Sequence, residues 1–153
     1  MFRGVNTLNL DAKGRLAIPT RYRDDLTHRC EGRMVITISN AINVCCLWLY
    51  PLTEWEPIER KIVNLTSFDG RAQRLKRILI GHATDCDLDS SGRVLLPVPL
   101  REFAVLEKRV VMIGQGNKFE IWNEELWNSE REKWLSQEAE EGPLPTELES
   151  LSL

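Results

Sequence analysis

Residues 10–19 read LDAKGRLAIP and residues 88–97 read LDSSGRVLLP, so the chain contains the same short pattern twice. The two stretches share Asp, Gly, Arg and Pro at corresponding positions. A second correspondence links LWLYPLTEW at 47–55 with FEIWNEELW at 119–127. Self-similarity of this kind is typical of a duplicated structural unit. The sequence therefore predicts two copies of one unit in a single chain.

The duplication predicts how the chain is divided. We expect a first repeat at 5–52, a helical linker at 53–80, a second repeat at 81–124, a C-terminal helix at 125–138 and a tail at 139–153. The tail is acidic and contains two prolines, a composition that favours mobility. A repeat of about 50 residues is marginally stable by itself, so we expect the two repeats to pair.

Each repeat has the same pattern of short elements. A short apolar stretch precedes the Asp, and an apolar strand follows the Arg and ends at Pro, which cannot donate to a central ladder. A helix is then expected at 20–30 in the first copy and at 98–106 in the second. Two short β-branched strands complete each copy, at 34–38 and 44–50, and again at 109–113 and 118–122.

Three longer helical signals lie outside this pattern. Thr53 and Glu56 have the spacing of a capping box, which predicts that a helix begins there. A basic helix is expected at 71–80, and Asn123 is placed to cap the C-terminal helix.

The shared D-x-x-G-R pattern suits a tight turn. Its glycine can take a positive φ, and its aspartate can accept backbone N–H groups. The turn residues so identified are Asp11, Gly14, Asp89 and Gly92. Arg15 and Arg93 begin the strands that follow the turns, and two interpretations stay open for them. Each arginine either pairs with its aspartate and fixes the turn, or offers its planar fork to a phosphate or a guanine edge.

Charge is unevenly distributed along the 153 residues. Twenty Lys and Arg against 23 Asp and Glu give a net charge of −3, which excludes a generally basic protein. Residues 1–33 nevertheless carry +3 and residues 71–82 carry +4, whereas residues 114–153 carry −7. This separation is compatible with a nucleic-acid partner and with self-association.

The sequence argues against several other classes. No apolar run approaches the roughly 20 residues needed to span a bilayer, and no basic-then-apolar leader opens the chain, so we expect neither a membrane partner nor secretion. The four cysteines form no C-x-x-C pair, and Cys45 and Cys46 lie in an apolar run where we expect buried thiols. No cofactor and no small-molecule substrate are expected.

A metal-dependent enzyme is the strongest catalytic alternative. His82, Asp85, Asp87 and Asp89 offer nitrogen and oxygen ligands at a spacing similar to a calcium loop. However, Leu96 stands where such a loop needs glutamate, and nucleophile and phosphate-binding motifs are missing from the sequence. We therefore predict that the protein is not an enzyme.

A family resemblance adds to this interpretation. The opening MFRG, the two D-x-x-G-R motifs, the trailing P-x-x-x-R, RILIGHATDC at 77–86 and GQGNKFEIW at 114–122 closely resemble the MraZ family. The resemblance covers the chain except for its tail. It implies an α+β fold of two tandem SpoVT/AbrB-like swapped-hairpin repeats that form a pseudo-symmetric small β-barrel core flanked by helices.

The same resemblance implies a function. Family members are bacterial transcriptional regulators that bind short direct repeats in double-stranded promoter DNA, usually repressing their own operon in the division and cell-wall cluster. They form ring-shaped homo-oligomers, and a cytoplasmic, nucleoid-associated location is implied. A ring-forming interaction scaffold, or a non-specific nucleoid-associated protein, is the alternative that stays open.

The candidate DNA-binding residues are Arg3, Lys13, Arg15, Arg23 and Arg93. We expect Arg15, with Lys13 and Arg3, to touch DNA. Arg93 is expected to be structural or a helper, because Ser91 replaces Lys13 in the second copy. Asp85 and Asp87 also lie just upstream, and carboxylates beside a phosphate site repel the phosphate.

Overall fold

The computed structural model describes residues 1–41, 43–66, 68–140, 142 and 145, and for Glu138 and Ala139 it describes the backbone. Most of the expected tail at 139–153 therefore lies outside the described residues. The helices are α1 (Thr20–Cys30), α2 (Leu52–Val63), α3 (Gly70–Leu75), α4 (Val98–Phe103) and α5 (Glu124–Glu140), with a π-helical segment at Lys76–Ile80. The strands are β1 (Val5–Asn9), β2 (Arg15–Ala17), β3 (Met34–Ile38), β4 (Leu47–Pro51), β5 (Thr84–Asp85), β6 (Arg93–Leu95), β7 (Arg109–Gly114) and β8 (Phe119–Asn123).

Six of the strands form one sheet in the order β1-β7-β8-β4-β3-β5, and every neighbouring pair in it is antiparallel. At the centre β4 of the first repeat pairs with β8 of the second. The outer strands are exchanged, because β1 pairs with β7 of the second repeat and β5 pairs with β3 of the first. The remaining strands, β2 and β6, pair with each other as a separate two-stranded ribbon.

The sheet is open, so the expectation of a closed β-barrel core is wrong, whereas the α+β class is confirmed. The reason is that β2 and β6 form their hydrogen bonds with each other and not with the edges of the six-stranded sheet. Among the described residues, Leu10 and Leu16 form only an isolated bridge between β1 and the ribbon. With β5 only two residues long, no ladder in the described chain joins the two sheet edges.

The main core lies between the sheet and the ribbon, with α1 and α4 at its sides. The ribbon contributes Leu16, Ile18, Val94 and Leu96, all fully buried. The opposite face of the sheet is covered by two smaller clusters, one around Trp55 of α2 and one around Trp122 near α5. Because both faces are covered, every residue of β3 and β8 is buried.

Helix α1 spans the predicted residues, but α2 begins earlier than the sequence indicated. The expected capping box is wrong, because α2 begins at Leu52 after Pro51 and its N-terminus has no side-chain cap. The expected basic helix at 71–80 is divided into α3 and the π-helical segment. The cap of α5 is confirmed, since the Leu126 N–H donates to Asn123 Oδ1 at 3.1 Å.

All four cysteines are free thiols. Cys46 is buried as expected, but Cys45 is exposed, so that half of the prediction is wrong. The two are adjacent just before β4, and neighbouring side chains in extended chain point to opposite sides. None of the described helices is long and apolar enough to cross a membrane.

Candidate nucleic-acid interface

The first D-x-x-G-R turn is held by one carboxylate. Asp11 Oδ1 accepts the backbone N–H groups of Lys13 and Arg15, both at 2.9 Å. Asp11 Oδ2 accepts from Arg15 Nε at 2.7 Å, which forms an ion pair across the turn. Gly14 has a φ of +79°, a conformation that side chains other than glycine adopt at a cost, so the turn depends on glycine there.

The second turn has the same geometry. Asp89 Oδ1 accepts from the backbone N–H of Ser91 at 2.8 Å and from that of Arg93 at 3.0 Å. Asp89 Oδ2 accepts from Arg93 Nε at 3.0 Å, and Gly92 has a φ of +73°. The duplicated motif therefore builds two equivalent turns, each with its arginine fixed at Nε.

These hydrogen bonds also set the ionisation of the aspartates. The Arg15 backbone N–H is the main reason that the pKa of Asp11 is lowered from its ordinary value, with the Arg15 and Lys13 groups adding to it. The pKa of Asp89 is lowered for the same reason, chiefly by the Arg93 backbone N–H. The folded turns therefore favour the ionised form of both carboxylates.

The ribbon presents both arginines on one face. Arg15 pairs with Leu95 and Ala17 pairs with Arg93, while Leu16 and Val94 between them point into the core. Since side chains alternate along a strand, Arg15 and Arg93 both point outward. They are diagonal neighbours across an antiparallel pair, a relation that places their Cα atoms about 7–8 Å apart.

The two turns are fixed relative to each other. The Leu96 N–H donates to the Gly14 carbonyl at 2.9 Å, and the Ile18 N–H donates to the Gly92 carbonyl at 2.9 Å. Each turn is thus hydrogen-bonded to the strand that follows the other turn. The two turns and the ribbon between them form one unit, which we call the paired-turn surface (residues 11–17 and 89–95).

The structure brings some of the other predicted residues to this surface. Lys13 is exposed on the first turn beside Arg15. Arg3 lies far from the first turn, because pairing with the second repeat runs from Phe2 to Leu10 and holds this segment extended. The Arg3 carbonyl accepts from the Tyr22 hydroxyl of α1. At about 3.3 Å per residue, Arg3 lies roughly 23 Å along the strand from Leu10, where the first turn begins.

Arg23 lies at the second turn, although it belongs to the first repeat. Its Nε donates to the Ile18 carbonyl at 2.6 Å, and its guanidinium lies against Gly92. Arg101 of α4 occupies the matching position at the first turn, with Nε donating to the Leu96 carbonyl at 2.9 Å. Sequence reasoning left Arg101 out of the candidate site, although the P-x-x-x-R match pairs it with Arg23.

The acidic residues upstream of the second turn are placed as follows. Asp87 Oδ1 accepts from the Met34 N–H at 3.1 Å, so this carboxylate helps to join the two repeats. Asp85 is exposed on β5, and His82 Nδ1 lies 2.8 Å from the Ile78 carbonyl. In the part of the chain that the structure describes, no three His, Cys, Asp or Glu side chains gather as a metal site would require.

The fold and the site define a class: internally duplicated α+β proteins that present two Asp-Arg turns on one exposed β-ribbon. A family model described as "MraZ protein, putative antitoxin-like" matches residues 1–78 and 79–143. The chain therefore belongs to the MraZ family.

Full-length relatives agree with the family match. The chain is 58% identical to the "Transcriptional regulator MraZ" of Halorhodospira halophila and 53% identical to that of Thioalkalivibrio sulfidiphilus, over the full length of both chains in each case. It is 54% identical to the protein of that name from Methylococcus capsulatus, over 93% of this chain and 91% of the relative.

Proposed function

We propose that the protein is a transcriptional regulator that binds double-stranded DNA in a sequence-specific manner through the paired-turn surface. The observation that carries this proposal is the outward placement of Arg15 and Arg93 on one rigid ribbon. The name shared by the full-length relatives, transcriptional regulator, supports it.

The geometry of the arginines supports contact with DNA. Each uses only Nε in its ion pair with aspartate, and neither Nη atom of Arg15 or Arg93 hydrogen-bonds a described residue. Their side chains are 29% and 33% exposed, so both arginines are accessible to solvent. The ion pair and the DNA contact are therefore compatible, because the aspartate fixes the arginine while leaving two nitrogens for a phosphate or a guanine.

The ribbon has dimensions suited to DNA. The major groove admits a two-stranded β-ribbon, and the ribbon presents its two arginines on the same outward face. Lys13 adds a third charge beside the first turn, whereas Ser91 occupies the corresponding position of the second. We therefore propose that Arg15 makes the larger contribution and that Arg93 and Arg23 assist.

One protomer makes few contacts, so we propose that binding requires an oligomer on direct repeats. Two or three neutralised phosphates give only weak binding, whereas several linked protomers raise avidity by about 10²–10⁴. Exposed apolar side chains outside the paired-turn surface support self-association, with Val98 and Val105 each more than half exposed and Phe68 fully exposed. A ring-shaped homo-oligomer is the proposed form.

We also propose a repeat type, a regulated operon and a cellular location for the protein. We propose repeats of the SpoVT/AbrB type at 5–52 and 81–124, repression of the protein's own operon in the division and cell-wall cluster, and a cytoplasmic, nucleoid-associated location. The proposed role needs no catalysis, cofactor or small-molecule substrate.

The deciding experiment titrates the protein against its own upstream DNA, with intact and with scrambled repeats, at two salt concentrations. We expect wild type to bind the intact repeats tightly, Arg15→Ala to lose most of that binding, and Arg93→Ala to lose less. The matched control is Arg60→Ala, an exposed arginine on α2 across the sheet from the ribbon, and it should bind as wild type does. Binding that ignores scrambling would support a non-specific nucleoid protein, and absence of binding would support a scaffold.

A further inference from the structure

Each D-x-x-G-R turn is contacted by an arginine that belongs to the other repeat. A Cβ placed on Gly14 would lie 2.7 Å from Arg101 Nε, and a Cβ placed on Gly92 would lie 2.7 Å from Arg23 Cζ. Such distances are shorter than van der Waals contact, so the guanidinium groups occupy space that only glycine leaves free. The glycines therefore allow the turn conformation and also leave room for the guanidinium group of an arginine.

Each of these arginines is linked to its turn by two successive hydrogen bonds. Arg101 Nε donates to the Leu96 carbonyl, and the Leu96 N–H donates to the Gly14 carbonyl. Arg101 thus touches the first turn directly and also holds the strand residue to which that turn is bonded. Arg23, Ile18 and Gly92 repeat the arrangement at the second turn.

These two arginines differ from Arg15 and Arg93 in their partners. Among the described residues neither Arg23 nor Arg101 has a carboxylate within ion-pair distance, whereas Arg15 and Arg93 each have one. The orientation of Arg23 and Arg101 is therefore set by a carbonyl and by the surface of a glycine. Both are half-buried, in keeping with a role in holding the turn.

We infer that Arg101 is a positioning residue for the first turn and Arg23 for the second. Arg15 and Arg93 on the paired-turn surface are thus each oriented by the opposite repeat. This inference rests on the proposed function for its effect on DNA binding. Arg15 then depends on α4 of the second repeat, and Arg93 depends on α1 of the first. Each turn therefore depends on a residue that is close in the fold but lies in the other half of the sequence.

A double-mutant cycle in the full-length protein tests this dependence. Arg101→Met keeps the aliphatic stem and removes the guanidinium, and we expect it to weaken DNA binding about tenfold, the effect of roughly one hydrogen bond to a charged group. Combined with Arg15→Ala it should add almost nothing, because it acts through Arg15. Combined with Arg93→Ala its loss should add in full.

Arg23→Met is the matched control, because it makes the same change at the other turn. It should be non-additive with Arg93→Ala and additive with Arg15→Ala. Arg101→Lys keeps the charge but loses the planar fork, so it should not restore binding if the role is positioning. Additive losses in both cycles, or full rescue by lysine, would show that Arg101 is an independent phosphate contact and would overturn the inference.

Amide hydrogen exchange provides a readout that does not need DNA. We expect Arg101→Met to speed exchange in peptides covering 11–17 and to leave those covering 89–95 unchanged, with the reverse for Arg23→Met. Equal acceleration of both turns, or of neither, would contradict crossed positioning. If wild type fails to bind its promoter, the proposed function fails, while the exchange pattern still decides the inference.

Discussion

At the scale of single residues, the chemistry of the paired-turn surface is set by Asp11 and Asp89. Each carboxylate accepts two backbone N–H groups and one guanidinium Nε, so it fixes both the turn and the direction of the arginine. Neutralising the carboxylate weakens all three hydrogen bonds together. The charge state of these aspartates therefore controls the order of the surface.

We expect the two turns to lose stability in acid. Both aspartates have a pKa below the ordinary 3.8, so their contribution is complete above that pH and is lost as the pH falls through the folded-state pKa. Urea unfolding of wild type and of Asp11→Asn from pH 7 to pH 2.5 measures this. The stability gap between them should be constant near neutrality and shrink below pH 3.8; a gap that persists at pH 2.5 would contradict the expectation.

Gly14 is the second residue on which the first turn depends. Gly14→Ala should destabilise the protein by about 1–2 kcal/mol, because the left-handed conformation is unfavourable for L-residues, and it should displace Arg101 as well. Gly70→Ala is the control, since a Cβ there meets nothing within 4 Å. It should leave stability unchanged or raise it by up to about 1 kcal/mol in urea unfolding, as Gly-to-Ala changes in helices do. Equal effects at the two glycines would contradict this account.

At the scale of elements, a common junction organises the helices. Pro19, Pro51 and Pro97 each end a strand segment and immediately precede α1, α2 or α4, with φ between −52° and −59° and ψ near 140°. Proline suits this place because its φ is fixed and it donates no hydrogen bond. The junction explains why α2 begins before Thr53, whose capping-box spacing is present but unused.

Asn123 performs the corresponding task for α5 with a side chain. Its Oδ1 accepts the Leu126 N–H, and its Nδ2 donates to the Val105 carbonyl at 2.7 Å, so it joins the helix to the end of α4. We expect Asn123→Ala to destabilise the protein by about 1–2 kcal/mol, from the lost cap and the lost bond. Asn128→Ala changes an exposed asparagine inside the same helix and should have little effect in urea unfolding. A larger effect at Asn128 than at Asn123 would refute the assignment.

Much at this scale could be predicted from the sequence. The strands at 34–38 and 109–113 and the helix at 20–30 follow from local patterning, because short β-branched runs and breaker residues bound them. The two turns follow from the repeated pattern. Arg101 at the first turn could not be predicted in the same way, because its contact with Gly14 joins residues 87 positions apart.

At the scale of the whole molecule, strand pairing between the repeats determines the architecture. The pairing of β4 with β8 joins the two repeats into one sheet, and the exchange of β1 and β5 ties each outer edge to the other repeat, so the repeats share one core. Local patterning predicts strands but does not identify their partners when those lie in another repeat. The open sheet, the position of Arg3 and the crossed arginines all result from long-range pairing.

The charge separation seen in the sequence predicts a contact between protomers. Arg71, Arg74 and Arg77 are exposed, and in the described chain none of them has a carboxylate partner, while α5 is rich in glutamate. We expect the Arg74→Glu/Arg77→Glu variant to sediment as a smaller species than wild type, because reversed charge repels the acidic helix of a neighbour. Arg60→Glu/Lys61→Glu makes the same charge change on α2 and should sediment as wild type. Unchanged sedimentation of the Arg74/Arg77 variant would argue against this contact.

The pairing of Val5 with Ile113 also delays the folding of β1 during synthesis of the chain. During synthesis, 108 residues must follow the start of β1 before its partner residue has been made. At about 5–20 residues per second the wait is roughly 5 to 20 s. A nascent chain that ends before β7 lacks the strand with which β1 pairs. A chain that ends before residue 101 also lacks the arginine that contacts the first turn. The first turn therefore gains its arginine only after residue 101 has been made, and β1 gains its full partner only after residue 113, so a product that ends earlier lacks these contacts.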